Sequence, residues 1–253
     1  MNRISRRSFF KLAGAAAAAG AAPHALAAQG RTAHPTGKGT AFPQSGLRYT
    51  FFQPHEAALI EAMAARLIPD DELGAGAIEA GVPGFIDKQL AGAWGTGERL
   101  YRAGPWEQGE PTQGYQLPFT PAELFRNALR GIQAEMDKGG QDFSRMSHQD
   151  QDAWLRKLQE DKRELEGVPA HVFFESLWSM TLEGYFSDPV YGGNLNMASW
   201  KMIGFPGAYA NYYHLIDEHN ISVDQAPISL ADNGRGTIHI HPAIPASIHS
   251  KGK

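Results

Sequence analysis

Hydrophobic residues recur every three or four positions along most of the chain after residue 51, which is the period of an amphipathic α-helix. The first such stretch begins at Pro54, a residue suited to the first turn of a helix because its missing N–H would be unpaired there anyway. Its apolar positions are Ile60, Met63, Ala64 and Leu67. We predict a helix that begins at Pro54 and ends before Pro69.

A second amphipathic stretch extends from about Ala77 to Leu90, with its larger apolar side chains on one face. Pro83 lies inside this stretch. Because proline lacks an N–H and clashes with the preceding turn, Pro83 predicts either a kink at this position or a helix that starts near it. The glycines from Gly92 to Gly97 close the segment.

Two polar sequences predict further helix starts. Thr120 and Glu123 have the spacing of a capping box, with Pro121 at the first helical position. Ser147 is a second N-cap candidate, and we predict that the helix after it continues as far as Gly167.

The segment after Pro169 is apolar nearly all round, which predicts a helix at the centre of the fold or at an interface. Its apolar residues are Val172, Phe173, Phe174, Leu177, Trp178, Met180, Leu182, Tyr185 and Phe186. Alternation with period two does not exceed four or five residues before the C-terminal tail. The fold class is therefore predicted to be mainly α, an irregular helical bundle with long Gly- and Pro-rich loops such as 104–118.

The first 27 residues resemble a twin-arginine export signal. Arg6 and Arg7 precede Phe9, Lys11 and an alanine-rich run, and Ala25 and Ala27 have the spacing of a signal peptidase site. An ordinary secretory signal or an uncleaved anchor is the alternative. The apolar run within this segment is shorter than the ~20 residues that span a bilayer.

Four regions follow from this reading. Residues 1–27 form the signal peptide, and residues 28–50 form a flexible, disordered leader that is too polar to offset the entropy of ordering. Residues 51–225 form the helical domain, and residues 226–253 form an extended tail. We expect export to the periplasm by the twin-arginine translocase.

Charge and cysteine content exclude several functions. The signal peptide contains four of the 23 basic residues and no acidic one, so its removal leaves 19 basic residues against 27 acidic ones. An acidic surface repels phosphate backbones, so nucleic-acid binding is not expected. The absence of cysteine excludes disulfides, thiolate metal sites and covalent haem attachment in this chain.

One long segment carries a resemblance to a known family. It comprises residues 183–197 and 200–207, and shorter matches lie at 66–69, 71–74, 80–82, 85–87, 104–106, 114–116 and 164–167. Together they resemble the gluconate 2-dehydrogenase subunit 3 family, the small subunit of membrane-bound, FAD-dependent sugar and sugar-acid dehydrogenases. Gln53 departs from the family pattern, in which Ser or Thr caps the first helix.

The resemblance implies an accessory role without a catalytic site. It implies two partner subunits, a large dehydrogenase subunit that binds FAD and a multihaem cytochrome c subunit that carries haem c and holds the complex on the inner membrane. It also implies that the small subunit supplies the export signal for the flavoprotein. No cofactor is expected in this chain itself.

The motif search agrees with that expectation. Gly74 and Gly76 lack the third glycine and the preceding strand of a dinucleotide-binding motif. The acidic run 70–72 could hold calcium, but a solvated cap is the simpler reading. His239, His241 and His249 could bind a transition metal, although an exposed tail or a strand added to a partner's sheet is favoured. We predict no metal site.

The expected contact surface for the flavoprotein lies after the central helix. Asp188 and Asn194 bracket a turn in which positive φ is expected at both glycines, and aromatic residues and methionine follow it. The candidate residues are Tyr191, Gly192, Gly193, Trp200, Met202 and Phe205, with Trp106, Tyr115 and Tyr101 as a second group. The alternative for the turn is a purely structural role.

A rival hypothesis makes the chain a stand-alone exported enzyme or binding protein. Glu183 and Asp188 would then perform acid–base chemistry with a nearby histidine.

Overall fold

A computed structural model describes residues 48–107, 109–110, 113, 116–209, 217–219, 221 and 225–230. Within these ranges lie six α-helices: α1 (Pro54–Leu67), α2 (Val82–Ala91), α3 (Pro121–Gly139), α4 (His148–Glu160), α5 (Ala170–Phe186) and α6 (Ala198–Ile203). A hairpin of β1 (Glu164–Leu165) and β2 (Val168–Pro169) joins α4 to α5. The prediction of a mainly α fold is confirmed. The predicted signal peptide, residues 28–47 of the leader, Tyr115 and the three tail histidines lie outside the described residues.

Helix α5 is the centre of the bundle. It contacts α1, α2, α3, α4 and α6, so each of these helices buries part of its apolar face against it. Phe173 and Leu177 are fully buried, and the Phe173 ring meets that of Phe125 on α3 edge to face, with the centroids 5.3 Å apart. The central position predicted from the all-round apolar sequence is confirmed.

The helix starts follow from local capping. The Thr120 hydroxyl accepts the Glu123 N–H at 3.2 Å, and the Glu123 carboxylate accepts the Thr120 N–H at 2.7 Å, which forms the predicted capping box. At α1, Glu56 similarly accepts the N–H of Gln53 at 2.7 Å. Helix α2 begins at Val82 with Pro83 in its first turn, so Pro83 marks a helix start and not a kink.

The predicted end of α4 at Gly167 is wrong. The helix ends at Glu160, and the next residues form the hairpin, in which Glu166 and Gly167 both have positive φ at its two-residue turn. Leu165 and Val168 are buried and face one another across the hairpin, in contact with the helical core. The sequence did not predict the hairpin because strands of two residues are too short to show an alternating pattern.

The leader also ends earlier than predicted. Tyr49 packs against the core, and Asp87 on α2 accepts three consecutive N–H groups, those of Thr50, Phe51 and Phe52, at 2.7, 2.9 and 2.9 Å. Asp87 is 2% exposed, so these backbone donors satisfy a buried charge. We call residues 49–52 the N-terminal strap. The boundary at residue 50 is therefore wrong, because packing of Tyr49 and the hydrogen bond from Thr50 to Asp87 attach both residues to the helical domain.

Arg126 on α3, which pairs with the buried Glu56 of α1, fixes the same strap. Arg126 pairs with Glu56, donates to the carbonyl oxygen of Phe51 at 2.7 Å, and lies 4.2 Å from the centroid of the Phe51 ring. The strap is therefore held by side chains from three helices, which only come together in the folded domain.

Candidate protein-binding surface

The loop after α5 is organised by Asp188. Its carboxylate is 8% exposed and accepts the N–H of Val190 at 2.9 Å, the hydroxyl of Ser229 at 2.6 Å and the N–H of Leu230 at 2.8 Å. A parallel bridge between Gly207 and Ile228 completes this attachment. Residues 228–230, which the sequence placed at the start of the tail, are thus bound beside the α5 C-terminus.

A second polar residue, Asn194, fixes the start of α6. It is fully buried with φ +45°, donates to the Ser187 carbonyl at 3.0 Å, and accepts both the N–H and the hydroxyl of Ser199, at 3.0 and 2.8 Å. Of the two glycines before it, Gly192 has the expected positive φ of +94°, whereas Gly193 does not. Gly193 is required by space, because a β-carbon there would lie 2.1 Å from the carbonyl oxygen of Gly184.

The expected interface residues of α6 divide into supporting and exposed side chains. Trp200 is 6% exposed; its indole N–H donates to the Phe186 carbonyl at 2.9 Å, and its ring packs edge to face with that of Phe205 at 5.1 Å. Met202 is partly buried against the core beside Tyr185. Trp200 and Met202 therefore attach α6 to the helical core, while Phe205 is partly exposed to solvent.

Several large apolar side chains of this region are exposed, each between 40% and 55%. They are Val190, Tyr191, Leu195, Ile203, Phe205 and Leu230. We call this set the C-terminal apolar surface. The polar groups of Asp188 and Asn194 next to it are already hydrogen-bonded within the chain.

The second predicted group lies in the region that follows α2. Of this group, Tyr101 is 87% exposed and Trp106 40%, and Trp94, which was not predicted, is 46% exposed in the same region. Arg102 ties this loop to the start of α3 through hydrogen bonds of 3.2 Å to the Pro118 carbonyl and to the Glu123 carboxylate. Exposed aromatic residues thus occur in this loop as well as in the loop after α5.

A small cleft, which was not predicted from the sequence, lies beside the C-terminal apolar surface. It has a volume of about 130 Å³ and is lined by Arg48, Tyr49, Thr50, Gly81, Gly84, Asp87, Lys88, Gly192 and Leu195. Lys88 lies across Gly192 so closely that a β-carbon at Gly192 would be 2.5 Å from the ammonium nitrogen. Gly84 and Lys88 are four residues apart, so the sequence predicts that they are neighbours on the surface of a helix. Nothing in the sequence predicts that Lys88 lies next to residue 192.

Three of the carboxylates considered for catalysis or metal binding, those of Asp71, Glu183 and Asp188, have structural partners. Asp188 is engaged by its three donors, and the exposed Glu183 accepts the hydroxyl of Ser179 at 3.1 Å. Asp71 accepts the N–H of Leu73 at 2.9 Å and closes a turn. The described part of the chain contains no group of three acidic or histidine side chains placed to hold a metal ion.

In the part of the chain that the structure describes, two carboxyl groups have shifted pKa values, and both lie at ends of helices. The Thr120 N–H, followed by the Thr120 hydroxyl and Arg102, lowers the pKa of Glu123 against the opposing effect of burial. The Arg163 N–H lowers the pKa of Asp161 at the end of α4, again against burial. In both cases hydrogen bonds to the carboxylate stabilise its ionised form, at Glu123 in the capping box of α3 and at Asp161 in the turn that follows α4, so neither shift needs a catalytic role to explain it.

Comparison with protein families bears on the same region. The family model for gluconate 2-dehydrogenase subunit 3 matches residues 54–207, which extend from the first residue of α1 to the bridge after α6. The chain belongs to this family. The match includes the buried Asn194, the supporting Trp200 and most of the apolar surface of this subunit 3 protein. No curated protein and no solved structure matches it.

None of the helices in the described ranges is both long enough and apolar enough to cross a bilayer.

Proposed function

We propose that this subunit 3 protein is the non-catalytic small subunit of a periplasmic, membrane-associated FAD-dependent dehydrogenase of gluconate, another sugar acid, a sugar or a polyol. It binds the flavoprotein subunit, stabilises it and supplies its export signal. FAD and haem c belong to the partner subunits, and a multihaem cytochrome c subunit connects the complex to the membrane. Family membership supports the accessory role.

The observation that carries the proposal is the C-terminal apolar surface. Soluble domains rarely leave clustered large apolar side chains exposed unless another molecule covers them. Here Tyr191 projects from the loop after α5, whose polar groups are already paired at Asp188 and Asn194, and Phe205 projects from the segment that follows α6. A rigid loop with aromatic side chains is suited to a permanent interface, since little conformational entropy is lost on binding.

The sequence of the N-terminal segment supports the same assignment. Arg6 and Arg7 have the arrangement of a signal for a translocase that carries folded proteins. A flavoprotein without its own signal could then be exported while bound to this subunit. Binding in the cytoplasm precedes transport, and the complex stays together afterwards.

The first test is an affinity purification of the tagged chain from detergent-solubilised membranes of its own host. We expect a flavoprotein and a c-type cytochrome in equal amounts, recognised by their absorbance spectra. Tyr191→Ser combined with Phe205→Ser should reduce the yield of both partners. Leu73→Ser, at an exposed leucine outside the C-terminal apolar surface, is the control and should leave the yield unchanged. A colourless eluate from the wild-type chain would refute the proposal and favour a stand-alone periplasmic protein.

The second test concerns export. Arg6→Lys combined with Arg7→Lys should leave both this chain and the flavoprotein in the cytoplasm. Arg3→Lys is the matched control, because it makes the same substitution in the signal peptide outside the arginine pair. Fractionation and immunoblotting measure both proteins. A flavoprotein that reached the periplasm in the double variant would contradict joint export.

A further inference from the structure

The cleft between α2, the strap and the loop at Gly192 is a candidate anchor for a partner side chain. Lys88 and Arg48 supply its positive charge, and the glycines at 81, 84 and 192 contribute no side chains that would fill it. We propose that the cleft receives an acidic side chain of the flavoprotein subunit, which Lys88 binds as an ion pair. This inference rests on the proposed function and identifies the charged centre of that interface.

The size of the cleft favours a single side chain. Pockets for cofactors and drug-sized ligands have volumes of roughly 300–1,000 Å³. The volume here is about 130 Å³, too small for a flavin but sufficient for a carboxylate side chain. Anchor residues at protein interfaces typically insert into small, well-packed pockets of this kind, surrounded by contacts that exclude water.

The charges of the cleft favour an acidic occupant. Among the described residues, neither Arg48 nor Lys88 has an ion-pair partner. The one acidic residue of the lining, Asp87, already accepts three backbone N–H groups of the strap. The chain as a whole carries a net charge of −4, so two cations in one cleft oppose its overall charge.

The cleft is continuous with the C-terminal apolar surface. Gly192 follows Tyr191 directly, and Leu195 belongs both to the lining and to that surface. The Leu195 side chain covers Gly81 at the start of α2, because a β-carbon at Gly81 would lie 2.7 Å from it. A partner that covers Tyr191 and Leu195 therefore also encloses Lys88, where an ion pair is shielded from water and is stronger than on an open surface.

The test compares Lys88→Glu with Lys138→Glu. Both lysines are exposed and lie in the last turn of a helix, α2 and α3 respectively, so both substitutions change net charge and helix-end electrostatics equally. The flavin-containing subunit recovered with the wild-type chain is the binding probe. We expect Lys88→Glu to weaken its affinity at least tenfold, because like charges then face each other across the interface.

Lys138→Glu should leave the affinity unchanged, and Lys88→Arg should retain most of it. Raising the salt concentration should weaken the wild-type complex more than the Lys88→Glu complex. Thermal unfolding of each free variant verifies that the fold is intact.

Three outcomes would overturn the inference. Equal affinity of the wild type and Lys88→Glu would remove Lys88 from the interface while the proposed function stands. If Lys88→Glu and Lys138→Glu weakened the affinity equally, the net charge of the chain would explain the loss and a specific ion pair at Lys88 would not. Failure of the wild-type chain to recover any flavoprotein would refute the proposed function itself, and the inference with it.

Discussion

Asp87→Asn is the most informative single perturbation of this domain, because one buried carboxylate holds most of the N-terminal strap. Its Oδ2 atom accepts the N–H of Thr50, and its Oδ1 atom accepts those of Phe51 and Phe52. An amide has only one acceptor oxygen. In either orientation of the amide that replaces this carboxylate, at least one strap N–H therefore faces an NH₂ group and loses its hydrogen bond.

The expected cost follows from these contacts. Hydrogen bonds to a charged acceptor contribute about 1.5–3 kcal/mol each, and neutral ones about 1 kcal/mol. One bond is lost and two become neutral, while the cost of burying a charge disappears and offsets part of this. We expect a net loss of about 2 kcal/mol for the attachment of the strap. That corresponds to an increase of about 30-fold in the population of the detached strap, since about 1.4 kcal/mol is tenfold.

Two measurements test this value. Limited trypsin digestion followed by mass spectrometry should show cleavage after Arg48 accelerated by roughly the same factor, because cleavage of a briefly opened segment tracks its open population. Urea unfolding should show a smaller loss, since Arg126 still holds Phe51. The exposed Asp70→Asn is the matched control and should change neither. Unchanged cleavage at Arg48 in Asp87→Asn would refute the view that this carboxylate anchors the strap.

Three further predictions concern the loop after α5, helix α6 and the start of α3. Gly193→Ala should destabilise the domain by about 1–3 kcal/mol in chemical denaturation, because its β-carbon would overlap the backbone at Gly184; a neutral effect would contradict that close contact. Trp200→Phe should cost at least about 1 kcal/mol through loss of the hydrogen bond to the Phe186 carbonyl, and the measured free energy of unfolding checks it. The folded state lowers the pKa of Glu123, so its contribution is complete above the ordinary glutamate pKa of about 4.3 and is lost as the pH falls through the folded pKa. The stability difference between wild type and Glu123→Gln should therefore shrink on acidification, and a difference that stays constant with pH would contradict this.

Several features of the fold could be predicted from local sequence. The capping box at Thr120 and Glu123 and the proline in the first turn of α2 act within one helical turn, so neighbouring residues alone determine them. The all-round apolar sequence of α5 likewise predicts its central position, because a helix without a polar face is stable only when it is enclosed.

The hairpin and the strap could not be predicted in this way. Two-residue strands carry no alternation, and the hairpin is attached by tertiary contacts, above all the burial of Leu165 and Val168 against the helices. Asp87 lies 35 to 37 residues from the N–H groups it accepts, and its position in the sequence looks like that of any polar residue on a helix.

The sequence by itself determined the longer helices, the capped starts of α1, α3 and α4, and the family of this subunit, because those depend on periodicity, capping and motifs along the chain. Only the tertiary structure decided which of the candidate interface residues face solvent: it buried Trp200, exposed Tyr191 and Phe205, and brought Lys88 against Gly192. Exposure and pairing of distant residues are set by the packing of helices against one another, and that packing has no local signature in the order of the amino acids.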